Sequence, residues 1–300
     1  MGGRDRARPH RAGILSVLRY RQLGTVVLGV SDLERARGFY ARLPGLQPAP
    51  GGASGIVRFH VGDGSSTLEL AQSARPGLRG IGFQMESARS LDRLCRVLSR
   101  YGLPWTEVAA GIRLVEPHTG AQVDFGIPVP AGHPPIAGAI EGFGHVVLRT
   151  PRYPEAVAFW RDVLGFRLSD EIEGRISLLR CFPNPLHHSL GLAKGERRMF
   201  HHLNFRVHEA SDLEAIARDF SAAGVRIASG PGVHAPSRNR FLYFYDPDGL
   251  TLELASVTER FEEGRERAPR ILPDRPESFA LGDVRRDPAM YTVGEIEAAD

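Results

Sequence analysis

Four times along the chain, a short β-rich run gives way to a segment whose apolar residues recur every three or four positions. The first run is Leu23-Gly24-Thr25-Val26-Val27-Leu28. The segment after it places Leu33, Ala36, Tyr40 and Leu43 on one face and stops at Gly45, with Ser31 or Asp32 as the cap. The second is Gly80-Ile81-Gly82-Phe83-Gln84-Met85, followed by Leu91, Leu94, Leu98 and Tyr101 and closed by Gly102. The third is Phe143-Gly144-His145-Val146-Val147-Leu148; a helix then starts at Thr150-Pro151, carries Tyr153, Ala156, Trp160 and Val163, and ends at Gly165. The fourth is His202-Leu203-Asn204-Phe205-Arg206-Val207, followed by Leu213, Ile216, Ala217 and Phe220 and closed by Gly224. After each helix come about three short alternating runs bounded by Gly, Pro and Asp, among them 56–61, 112–116, 176–181 and 251–255. Alternation with period two predicts strands.

The repeating unit is therefore strand–helix–strand–strand–strand (βαβββ), four times over. The third run lies 120 residues after the first, so two units make one domain and the chain has two in tandem. The predicted class is α+β. Boundaries follow from the patterning: a basic N-terminal tail at 1–22, a first domain at 23–128, a Pro/Gly/Ala-rich linker at 129–141, a second domain at 142–257, and a C-terminal tail at 258–300. That last tail carries Pro269, Pro273, Pro276 and Pro288 with scattered charges, and fits equally a disordered segment or a lid across the second domain.

Composition narrows the picture little further. The chain has 300 residues, 42% hydrophobic and 24% charged, as a globular protein does. Cys95 and Cys181 are too few for a disulfide framework or a thiolate metal site, and both read as buried thiols. Net charge is +3, but residues 1–22 hold six arginines and one aspartate, so the remainder is slightly acidic. The basic balance belongs to a tail and gives no nucleic-acid-binding face. The only apolar run there, Ile14-Leu15-Ser16-Val17-Leu18, is shorter than a signal-peptide core, and no stretch suits a membrane helix. A soluble cytoplasmic protein is expected.

The repeat also serves as a control for the histidines. Superposing the halves puts His145 on Thr25, His202 on Gly80 and Glu253 on Asp124. The scaffold is duplicated, but the imidazoles occur in one copy only, so packing does not require them. His145 and His202 begin the first strands of two equivalent units and Glu253 lies on a last strand, positions that can share one interior. Two imidazoles and one carboxylate leave three metal positions open, a set suited to Fe(II) oxygenase chemistry and equally acceptable to Mn(II). Nearby lie His187-His188, His201-His202, His234, and Tyr243 and Tyr245. In each adjacent pair strand alternation sends only one histidine to the site, and the residues alone do not say which one, nor which tyrosine. The bland reading of each is a solvent-facing or core side chain.

Gly144-His145-Val146, His188-Ser189-Leu190-Gly191-Leu192, His201-His202-Leu203-Asn204-Phe205 and the stretch 241–253 resemble, in order and approximate spacing, the motifs of the two-domain type I extradiol dioxygenases. These catechol 2,3-dioxygenase-like enzymes belong to the vicinal oxygen chelate, or glyoxalase–bleomycin resistance, superfamily. The resemblance covers about residues 20–260. It implies tandem vicinal-oxygen-chelate domains, the first a metal-free structural copy. It implies Fe(II) held by His145, His202 and Glu253, with Mn(II) as the alternative. It further implies a catechol chelated through both oxygens, O2 as co-substrate, and ring cleavage adjacent to the diol. His188 would be the acid–base residue, and His234 and Tyr243 would hydrogen-bond the substrate oxygens and the intermediate. It selects His188 over His187, His202 over His201 and Tyr243 over Tyr245. A homo-oligomer is expected on the same ground.

Two other readings compete: a metal-dependent isomerase or lyase on the same scaffold, which needs the triad but not His188, His234 and Tyr243, and a non-catalytic protein that sequesters an aromatic ligand. The substrate pocket is expected near Val147, residues 182–186, Phe200 and the loop 235–240, where Arg238 and Arg240 are candidates to meet a substrate carboxylate, against the bland reading of solvated loop arginines.

Overall fold

The computed structural model describes residues 17–49, 54–128, 138–208, 212–256 and 259–297. The basic N-terminal tail through residue 16 and residues 129–137 of the linker lie outside them, while Ile140 and Glu141, placed in the linker by the sequence, already belong to a strand.

The first half contains β1 (Tyr20–Val30), α1 (Leu33–Tyr40), β2 (Leu46–Pro48), β3 (Ile56–Val61) and β4 (Ser66–Gln72), then β5 (Gly77–Met85), α2 (Ala88–Arg100), β6 (Thr106–Val108), β7 (Gly111–Val115) and β8 (Gln122–Gly126). The second contains β9 (Ile140–Thr150), α3 (Tyr153–Ala158), β10 (Arg167–Ile172), β11 (Ile176–Arg180) and β12 (Leu190–Lys194), then β13 (Met199–Val207), α4 (Leu213–Ala222), β14 (Ile227–His234), β15 (Arg240–Tyr245) and β16 (Thr251–Ser256). These are the four βαβββ units. One sheet runs β2-β3-β4-β1-β5-β8-β7-β6 and the other β10-β11-β12-β9-β13-β16-β15-β14, the same order twice. In each sheet the first strands of two units pair antiparallel, β1 with β5 and β9 with β13, and each has its own unit's last strand as a parallel neighbour.

Local chemistry agrees with these elements. Asp32 caps α1 by accepting from the Arg35 amide, and Asp212 caps α4 from the Ala215 amide. The third helix departs from the simple stripe: after Ala158 it widens into a π turn over Phe159–Val163, which lets adjacent Phe159 and Trp160 both be buried. Trp160 then meets Phe83 of the first sheet and Phe166, with ring centroids 5.7 and 4.8 Å away. Tyr20 closes the cluster, its hydroxyl donating to the Leu164 carbonyl at 2.7 Å. A tryptophan buried like this contributes about 3–5 kcal/mol relative to alanine. Across the molecule the Tyr40 hydroxyl of α1 donates to Asp246 at 3.0 Å. Burial pushes that carboxyl up to about 7. The two halves are thus cemented at both ends.

The C-terminal segment 259–297 is laid along both sheets. β17 (Arg270–Leu272) joins β10 in parallel, β18 (Ala280–Leu281) joins β14, and β19 (Glu295–Ile296) crosses to β5 of the first sheet. No helix among the described residues is long and apolar enough to cross a membrane.

Candidate metal centre

Five neighbouring strands of the second sheet each project one polar side chain toward the same place: His145 from β9, His202 from β13, Glu253 from β16, Tyr243 from β15 and His234 from the end of β14. Alternation explains Glu253: Leu252 and Leu254 turn into the apolar core, so the residue between them faces the other side. Tyr243 is directly opposite Glu253 in the β15–β16 ladder, whereas Tyr245 is opposite Thr251. His188 comes from the turn before β12, the strand on the far side of β9, and stacks on His145 with centroids 4.0 Å apart. A Cβ at Gly144 would stand 2.0 Å from Asn204 Oδ1, so any larger residue there would push the Asn204 amide aside.

The centre itself is three atoms. His145 Nε2 lies 3.0 Å from His202 Nε2, and Glu253 Oε2 lies 3.1 and 3.2 Å from the two nitrogens. All three residues are buried, Glu253 completely. Oε2 nevertheless receives no aligned hydrogen bond. A buried carboxylate oxygen left in that state is costly. One cation between the three atoms satisfies all of them at once, and the donors fit it. Ligands about 2.1–2.2 Å from one metal stand about 3.0–3.6 Å apart, the lower figure for right angles and the upper for tetrahedral ones. The observed edges are of that order, so a single cation can touch all three donors.

The electrostatics prepare the same site. Burial lowers His145 to about 4, so its imidazole is neutral with a lone pair to give. Burial works to raise Glu253, but the close approach of the His145, His202 and His234 nitrogens outweighs it and holds the carboxyl well below its usual range. The phenol of Tyr243 is pushed well above 10 by burial and then by the charge of Glu253, so it stays an O–H donor. His234 Nδ1 donates to the Phe279 carbonyl at 3.0 Å, which turns Nε2 toward the Tyr243 hydroxyl and Glu253 Oε1, each at 3.1 Å. Among the described residues the first half shows no such constellation: there the Asp124 carboxylate is taken up by Arg113 at 2.7 and 2.8 Å.

A cavity of about 290 Å³ opens beside the three donors. His145, His202, His188, His234 and Tyr243 line it, together with Val147 and the loop residues Pro236 and Ser237. Several sequence expectations need correction. Phe182 and Phe200 do not line it, and neither do Arg238 and Arg240; the latter is paired with Glu214. His201 lines it as well as His202, because a register irregularity between Phe200 and His202 breaks strict alternation there. Its cations are instead Arg149, Arg175, Lys194 and Arg286, and the tail supplies Phe279 and Tyr291. Arg149 was open to sequence reasoning, since His145, Val147 and Arg149 alternate onto one face of β9. Tyr291 was not: it sits at φ 63°, stacked on His201 at 3.4 Å, in a stretch with no periodicity.

Comparison with known proteins bears on this half above all. Residues 142–254 match the Glyoxalase/Bleomycin resistance protein/Dioxygenase superfamily. That match lies wholly within the second half of the chain. The chain is 32% identical over 150 residues to metapyrocatechase 2 of Cupriavidus necator, a match covering 50% of this chain and 43% of that protein, so less than half of that relative's length is spanned. It is 26% identical over 261 residues to biphenyl-2,3-diol 1,2-dioxygenase of Paraburkholderia xenovorans, covering 78% and 86%. Among solved structures, the Mn(II)-bound glyoxalase from Novosphingobium aromaticivorans has the same fold, with a TM-score of 0.81 over 92% of this chain and 95% of that one at 23% identity.

Proposed function

We propose that the protein is an extradiol dioxygenase, which inserts both atoms of O2 into a catecholic substrate and breaks the ring bond adjacent to the diol. The observation that carries this is the triangle of His145 Nε2, His202 Nε2 and Glu253 Oε2, with edges of 3.0 to 3.2 Å, at the wall of a cavity that also holds His188, His234 and Tyr243. The names of the two similar dioxygenases, metapyrocatechase 2 and biphenyl-2,3-diol 1,2-dioxygenase, support the same reaction class. On this reading the three donors hold Fe(II), and Mn(II) suits the same set. When bound, the metal supplies a Lewis acid for the catechol oxygens and electrons for O2. His188 takes and returns the substrate's proton. Tyr243 and His234 hydrogen-bond the substrate oxygens, and Val147 and Phe279 exclude water. Residues 23–128 act as a metal-free structural domain and 142–257 as the catalytic one. The enzyme works in the cytoplasm as a homo-oligomer. Turnover under 18O2 tests the reaction: both labelled atoms are expected in one ring-opened product, and a product with one labelled atom, or an intact ring, contradicts it.

The charge of the cavity bears on the substrate. Arg149, Lys194 and Arg286 make no ion pair among the described residues, Arg149 Nε is buried without a partner, and no described lining residue is an acid. Arg149 is four residues beyond His145 on one strand, roughly 13 Å along it, within reach of a short side chain on a metal-chelated ring. A catechol bearing a carboxylate chain is expected to exceed its methyl ester in kcat/KM by about 10-fold or more, the value of one charge-assisted hydrogen bond. Arg149→Gln should shrink that ratio. Equal kcat/KM for acid and ester in the wild type contradicts the expectation.

A further inference from the structure

Behind the cavity, on the side of His188 away from the substrate, lies a buried chain of polar groups. His188 Nδ1 is 3.0 Å from His187 Nδ1, and His187 Nε2 is 2.9 Å from Asp170 Oδ2. All three residues are buried, Asp170 completely. Glu259 Oε2 approaches the same His187 nitrogen at 3.4 Å. Asp170, His187 and Glu259 resemble a metal ligand set, but two cations already fill that role. Arg267 donates to Asp170 at 2.9 and 3.1 Å, and Arg270 donates to it at 3.0 and 2.6 Å. Burial works to raise the Asp170 carboxyl, and hydrogen bonds from His187, Arg270 and Arg267 outweigh it, so it is ionised.

An ionised carboxylate has only lone pairs to offer, so His187 must carry its hydrogen on Nε2 and donate it to Asp170. The Arg267 Nη2 contact to the same nitrogen, at 3.5 Å, is longer and does not compete. The guanidiniums of Arg267 and Arg270 already balance the carboxylates of Asp170 and Glu259, which leaves His187 Nδ1 to face His188 as an acceptor. The only partner that satisfies it at 3.0 Å is an N–H on His188 Nδ1. His187 has placed its hydrogen on Nε2, so the one between the two Nδ1 atoms is carried by His188. Its one hydrogen is thereby fixed on Nδ1, and its Nε2 lone pair is left for the cavity that His188 lines.

We propose that His187 and Asp170 are positioning residues that set the tautomer and ring orientation of His188, with Arg267 and Arg270 of the C-terminal segment clamping Asp170 in place. A carboxylate that fixes a histidine through its far nitrogen is an established device; here a second histidine is interposed. No proton changes hands in the resting chain. The consequence is that His188 meets the substrate as an acceptor, the form a general base needs. The catalytic part of this inference rests on the role given to His188 above. The tautomer itself does not.

The test has two readouts. In 15N-histidine-labelled apoprotein, with His188 assigned by difference against His188→Phe, the wild type is expected to show the Nδ1–H tautomer, and His187→Phe to lose that preference. In metal-loaded protein, His187→Phe is expected to lower kcat by about 10- to 100-fold, the usual effect of removing such a partner. Anaerobic catechol affinity should be unchanged. His187→Gln, whose amide can donate to Asp170 and accept from His188, should recover most of the loss; a purely structural role predicts no such split. An Nε2–H tautomer of His188 in the wild type overturns the proposal. So does His187→Gln that is no better than His187→Phe, or a parallel fall in affinity and kcat. If His187→Phe does not fold, the wild-type tautomer and the glutamine variant still decide. If no catechol is cleaved, the reaction class fails while the nitrogen spectrum continues to judge the chain.

Discussion

His202→Ala is expected to leave the protein folded and without metal. The three donors stand 3.0 to 3.2 Å apart, and removing His202 leaves only His145 and the fully buried carboxylate of Glu253. Even changes behind a ligand lower metal affinity by about 10- to 100-fold, so loss of the ligand itself should exceed the upper figure. Two measurements follow. Metal content after gel filtration should be near one equivalent in the wild type and near zero in the variant. Fe(II) at a hundred times its dissociation constant should also stabilise the wild type by about 2.7 kcal/mol and the variant hardly at all. Stoichiometric metal retained by His202→Ala would remove His202 from the ligand set.

His188→Phe is expected to do the opposite: keep the metal and lose the reaction. A phenyl ring preserves the stack that His188 makes on His145 at 4.0 Å, so the ligand stays supported. What disappears is a neutral imidazole facing the substrate. General acid–base groups contribute about 10²- to 10⁴-fold, and kcat should fall within that range. Metal content and anaerobic catechol affinity should hold. Unchanged kcat in this variant would place the proton transfer elsewhere, with His201 the next residue to try, since it lines the same cavity.

Much of this architecture was legible in the sequence because the fold repeats itself. The runs beginning at Leu23 and Phe143 mark equivalent strands, and the same strand order recurs in both sheets. The repeat also isolated the donors, since Thr25, Gly80 and Asp124 occupy the corresponding places in the first half. What stayed hidden depends on contacts across the chain. His201 reaches the cavity through an irregularity in strand pairing that no local pattern announces. Asp170, between Ser169 and Glu171, looks like an ordinary acid on a strand until Arg267 and Arg270 arrive from a hundred residues away. The C-terminal segment has little periodicity because its place is set by pairing with β10, β14 and the first residues of β5. Its contributions to the cavity, Phe279, Arg286 and Tyr291, were invisible for the same reason.

One measurement reaches the central claim most directly. The protein is loaded with Fe(II) under anaerobic conditions and mixed with a panel of acidic and neutral catechols, air is admitted, and visible absorbance is followed alongside oxygen uptake. A yellow ring-opened product is expected, formed with one O2 consumed per substrate, fastest with the acidic catechols, and absent when His202→Ala takes the place of the wild type. Iron bound in full with no oxygen uptake on any catechol would contradict the proposed reaction. Failure to bind iron at all would contradict the site.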